Sequence, residues 1–153
     1  MKKKKKKKID WIIHFVGYGA CEERGKEDDD GFLPYTCDAH THGMEKYNHL
    51  DFQFVLRLDP DIVGHILNTL GLRVQAGEVF KDGDIIEDVL TCPIKIKEFT
   101  EEKLLRVIVP DSSFKFPEDE TCEELYKYQL LPTDMLSGQT QTSVMQKTKF
   151  LRS

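Results

Sequence analysis

The sequence predicts an α+β fold: one domain with a largely antiparallel sheet of about six strands, an amphipathic helix packed on one face, and a short C-terminal helix. Three observations carry that expectation. Apolar residues alternate through 50–58, the period of a strand. They then recur at three- and four-residue spacing through 60–76, the period of a helix. Short β-branched runs separated by turn residues follow, which is the pattern of a meander.

Residues 2–8 are all lysine, and residues 1–8 read as a solvated, disordered arm, because like charges repel and nothing apolar is there to bury. The first strand is expected at 9–16. There Ile9, Trp11, Ile13 and Phe15 alternate with Asp10, Ile12, His14 and Val16, which makes Trp11 and Phe15 core candidates. Gly17, Gly19, Gly25 and the acidic run 27–30 mark a polar loop; the run lacks the alternating ligand spacing of a calcium loop and reads as solvated charge. In the second strand Leu33, Tyr35, Cys37 and Ala39 share one face, with Thr36, Asp38 and His40 on the other. A loop at 41–48 leads to the third strand, 50–58. Its Leu50, Phe52, Phe54, Leu56 and Leu58 oppose Asp51, Gln53 and Arg57, as in a sheet covered on one face and wet on the other.

Asp59 is placed to cap a helix with Pro60 at its first position, and Gly77 is placed to end it. Ile62, Val63, Ile66, Leu67, Leu70 and Val74 form the apolar stripe, so Ile62, Ile66 and Leu70 are expected on Phe52, Phe54 and Leu56. His65, between apolar positions, reads as a histidine at the edge of the core. A turn at 81–84 precedes strands at 85–90, 92–98 and 103–109. Pro93 fits only a strand start or edge, and Thr100, Glu101 and Glu102 fit a hairpin loop. A short helix is expected near 119–129. The domain is thus bounded at 9–130, with 131–153 a polar, poorly ordered tail.

The chain of 153 residues carries a net charge of −5, which understates its acidity. Without the seven lysines of the arm, 15 basic residues remain against 27 acidic ones, a balance of −12. An acidic body disfavours nucleic acid, whose phosphates need clustered Lys and Arg. No window approaches the roughly 20 apolar residues of a membrane span. Asp10 and His14 interrupt what would be the apolar stretch of a signal peptide, so a cytoplasmic location is expected. Cys21, Cys37, Cys92 and Cys122 then read as reduced, small buried residues, and Cys37 as buried rather than nucleophilic.

Chemistry concentrates in 38–49, which holds three of the five histidines. His40, His42, Glu45, Tyr47 and His49 are the candidate ligand-binding residues, on a loop held between two strands. One reading makes His42-Gly43 a tight turn with positive φ at Gly43, and has His40 and His49 bond loop carbonyls. A second makes the loop a pocket for a small ligand or a partner segment, with no cofactor. A third makes His40, His42 and His49, with Asp38 or Glu45, ligands for zinc or another divalent transition metal that activates water in a hydrolase. The function expected is a small ligand- or partner-binding module, open to homo-oligomerisation, with the metal-dependent hydrolase as alternative.

Four segments carry a resemblance to a known family. They are Tyr35 through His42-Gly43-Met44-Glu45-Lys46-Tyr47; Asn48-His49-Leu50-Asp51-Phe52-Gln53; Ile66-Leu67-Asn68 with Arg73-Val74-Gln75-Ala76-Gly77-Glu78; and Leu105-Arg106-Val107-Ile108-Val109-Pro110-Asp111. Over roughly 9–128 the chain resembles an uncharacterised bacterial family, domain of unknown function 4262. It departs where Asn48-His49-Leu50-Asp51 replaces the usual Gly-His-Pro-Glu, though His49 matches. The resemblance implies a small bacterial cytoplasmic protein without an established activity.

Overall fold

Asp59 caps helix α1 (Pro60–Gln75) by accepting a hydrogen bond from the Asp61 amide at 2.8 Å, and Pro60 needs no partner for its missing N–H. At the other end Gly77 takes φ 109°, which brings its amide to the Val74 carbonyl and the Glu78 amide to the Arg73 carbonyl. Both ends are therefore closed by the residues the sequence offers for it. The computed structural model describes residues 8–17 and 32–136. The lysines at 2–7, the acidic run, Cys21 and residues 137–153 lie outside them.

Around α1 stand β1 (Ile12–Val16), β2 (Thr36–His42), β3 (Asp51–Leu56), β4 (Ile85–Ile86), β5 (Ile94–Phe99) and β6 (Leu104–Ile108). Two short helices follow, α2 (Glu124–Lys127) and α3 (Thr133–Leu136). The strands form one open sheet in the order β1-β2-β3-β6-β5-β4. The fold is thus α+β as the patterning predicts. Every pairing is antiparallel except that of β3 with β6, which lie on either side of the α1 crossover and run parallel.

One face of the sheet buries Phe52, Phe54, Leu56, Ile94, Ile96, Leu105 and Val107 against Val63, Ile66, Leu67 and Leu70 of α1. Ile62, expected in that contact, is 43% exposed, because it falls one residue off the stripe that Val63 occupies. Phe15 is 39% exposed, because it lies on edge strand β1, whereas Trp11 is buried. Tyr35 adopts φ 64° and is exposed, so β2 starts only at Thr36 and the predicted face of the second strand begins at Cys37. Cys37 and Cys122 are buried, but Cys92 is only partly covered.

The opposite face departs from the wet surface predicted for it. Gln53, Val55, Arg106 and Ile108 point there and are buried. Gln53 and Arg106 bond to the chain at Gln129, Leu131 and Thr133, and this chain continues to Leu136, which is buried and whose carbonyl accepts the Leu33 amide at 3.0 Å. The folded body thus continues through Leu136, past the boundary expected at 130. Residues 131–136 pack because Leu136 is buried and Leu131 and Thr133 bond to Arg106, a pairing that no local pattern advertises.

Trp11 joins β1 to α1. Its indole Nε1 donates to Asn68 Oδ1 at 2.8 Å, and its ring lies on the Cα of Gly71, where an added Cβ would stand 2.6 Å from Cζ2. The indole is rigid and buried on its other side, so it cannot yield. Gly71→Ala should therefore lower stability by about 1–3 kcal/mol despite improving helix propensity. At Gly64 a Cβ meets nothing within 4 Å. Gly64→Ala should instead raise stability by roughly 0.5–1 kcal/mol. Urea unfolding midpoints compare the two, and a stabilising Gly71→Ala would contradict the docking of Trp11.

Candidate functional site

Strand alternation in β2 sends Asp38, His40 and His42 to the face away from α1, while Cys37 and Ala39 enter the core. Beyond His42, Gly43 has φ 132°, the positive value expected of it, and a Cβ there would press on Trp11 at 3.0 Å. The 3-10 turn Met44–Tyr47 then returns the chain to β3. Asp51 secures that turn by accepting hydrogen bonds from the Thr41 hydroxyl at 2.8 Å and the Met44 amide at 2.9 Å.

The predicted cluster is consequently divided. His40 and His42 share the cleft face. Glu45 is exposed on the turn. Tyr47 donates to the Asp10 carboxylate at 2.6–2.7 Å and accepts from Gln75 at the end of α1. The acceptor at Asp10 raises the Tyr47 hydroxyl above its ordinary pKa. His49 lies on the helix side against Phe52 and Phe80. Its Nδ1 donates to the Leu50 carbonyl at 2.8 Å and its Nε2 accepts from the Phe80 amide at 3.0 Å. With both ring nitrogens engaged, His49 holds the connection, and it does not meet His40 and His42 as a third ligand. Among the described residues no three His, Cys, Asp or Glu side chains are arranged as a ready-made metal set.

His40 instead terminates a chain of hydrogen bonds. Its Nδ1 donates to Asp38 Oδ1 at 2.9 Å, and Gln53 Nε2 donates to the same oxygen at 2.9 Å. The Gln53 carbonyl oxygen accepts from Arg106 Nε at 2.8 Å. Arg106 also donates to the Gln129 carbonyl at 2.8 Å, to the Leu131 carbonyl and to the Thr133 hydroxyl at 3.1 Å. Thr133 in turn accepts from Gln53 and donates to Glu102. The network borders a cleft of about 680 Å³ whose walls include His42, Glu101, Lys103 and Asp134.

Electrostatics follow from this wiring. The hydrogen bond to Asp38 raises His40 above its ordinary 6.5, against the opposing effect of burial. For Asp38 burial is the largest influence and raises its pKa, yet the hydrogen bonds from His40 and Gln53, with the charges of His40 and Arg106, outweigh it and hold the carboxyl below 3.8. Burial lowers Arg106 to about 10, and the nearby carboxylates of Glu102 and Asp38 oppose it, so the guanidinium stays charged at neutral pH.

Sequence reasoning missed several members of this site. Gln53 reads as a polar residue on a wet face, Arg106 only as part of a strand, and Thr133 and Glu102 as tail and loop. His14 reads only as one position of the first strand. Register places it directly opposite His40, with ring centroids 5.1 Å apart, and its ring is 5.6 Å from that of His42. Comparison of the chain with family models, curated proteins and solved structures finds no match.

The shifted pair gives a pH signature. Protonated His40 contributes stability fully below pH 6.5 and loses it as pH rises through its higher folded value; ionised Asp38 contributes above 3.8 and loses it as pH falls through its lower one. His40→Gln should therefore flatten the fall in stability between about pH 6 and about pH 8, read from urea midpoints at each pH. An unchanged slope in the variant would contradict the pairing.

Proposed function

We propose that the chain is a small cytoplasmic binding module that takes a small polar molecule in the cleft beside His40. The resemblance to domain of unknown function 4262, with its implication of a bacterial protein without established activity, belongs to the same proposal. The observation that carries the reading is the buried chain Arg106–Gln53–Asp38, which fixes the His40 ring at an open cleft. A protein places a buried, fully bonded polar chain beneath an open cleft at a desolvation cost, and orientation of a recognition group is a function that offsets it. About 680 Å³ is room for a small molecule.

The lining suggests the chemistry. His40, His42 and Lys103 can donate hydrogen bonds, while Glu101 and Asp134 add carboxylates at the rim. A ligand bearing both hydroxyl and amine groups satisfies both sets, and the acidic body favours the amine. No described helix is long and apolar enough to cross a membrane.

The test uses isotope-labelled protein and a set of amino alcohols, polyols and free amino acids. Amide shifts should gather at 38–42, 101–104 and 132–134, and His40→Ala should abolish them. Shifts confined to residues away from this cleft, or none with any compound, would overturn the reading.

A further inference from the structure

The His-x-His pair of β2 has a third imidazole beside it that the loop reading does not use. His14 stands on edge strand β1 opposite His40, and the side chains of His14, His40 and His42 project from the same face of the sheet. Ring centroids separate by 5.1 Å for His14–His40 and 5.6 Å for His14–His42. Three imidazoles at such spacing lie within reach of one ion, each nitrogen needing about 2.0–2.1 Å to the metal.

We infer that His14, His40 and His42 bind one divalent transition-metal ion of the zinc class. His40 is the prepared member. Its Nδ1 is tied to Asp38 at 2.9 Å, which leaves Nε2 as the donor nitrogen, and a carboxylate behind a ligating imidazole is the arrangement that orients it. The rings of His14 and His42 are exposed and make no side-chain hydrogen bond or ion pair with described residues. Their nitrogens do not converge as placed, so closing the site requires rotation of these two rings. For exposed side chains with no bonds to break, that rotation moves between staggered wells at small cost.

Chemistry selects the class of ion. Three neutral imidazoles suit zinc, cobalt, nickel or copper and not calcium or magnesium, which take oxygen ligands. His40 and His42 also line the cleft, so an ion held there would stand at its rim. The inference holds whether or not a small molecule occupies the cleft, because the three histidines make the site by themselves. The competing account is a cross-strand aromatic contact that binds nothing.

Titration of the untagged full chain separates the two. Cobalt binding, followed by visible absorbance, and zinc binding, followed by calorimetry, should both saturate at one ion per chain. Binding should weaken as pH falls, because protons compete with the ion for the ligating nitrogens. His14→Ala should weaken it by about 100-fold or more, exceeding the 10–100-fold typical of losing an outer partner, while His49→Ala leaves it unchanged. His14→Gln, with circular dichroism to confirm the fold, guards against a purely structural loss. Absence of binding in the parent chain, or affinity indifferent to replacement of His14, would overturn the site.

Discussion

Arg106 has no exposed surface, yet it carries a charge in the middle of the sheet. A guanidinium in that position is tolerable only if its donors find acceptors and opposite charge stands nearby. Gln53 supplies one acceptor from β3, the Gln129 and Leu131 carbonyls supply two more, and Thr133 a fourth. Glu102 lies 3.9 Å away, and the ring of Phe99 sits 3.8 Å beneath the guanidinium carbon. The chain from Gln129 to Thr133 must therefore lie across the face opposite α1. From that constraint follow the burial of the sheet's second face and one wall of the cleft.

The same constraint reaches the histidines. Gln53 gives its carbonyl to Arg106, which leaves its amide nitrogen to donate to Asp38 and Thr133. Asp38, thus held, fixes His40. On the other face Trp11 pins β1 to α1 through Asn68 and Gly71, and so keeps His14 in register with His40. Packing on one side and a polar chain on the other together place three imidazoles side by side.

Much of this was legible in the sequence, and the failures share a cause. Helix α1 was readable to within a residue at its end because caps and apolar period agree locally. Strand β3 was readable from its alternation, and the turn at Gly43 from a glycine between strand and loop. What alternation cannot convey is whether a polar residue faces water or a partner far along the chain. Gln53 and Thr133 are 80 residues apart, and nothing local links them. The histidines failed in the same way. Proximity in sequence grouped His49 with His40 and His42, but the turn at Met44–Tyr47 carries His49 to the helix side. His14 joins the pair only through strand register, which one sequence does not specify.

Replacement of Arg106 by Met, followed by hydrogen exchange and urea unfolding, tests the central dependence most directly. Met fills much of the same space but leaves Gln53 and the Gln129 and Leu131 carbonyls without their donor, and Glu102 without the positive charge 3.9 Å away. The account predicts a loss of about 3–5 kcal/mol, the range for removing one partner of a buried charge network. Amide protection should be lost first across Gln129–Leu136, with β3 and α1 retained. A variant as stable as the parent, with that segment still protected, would contradict the claim that Arg106 binds the C-terminal chain to the sheet.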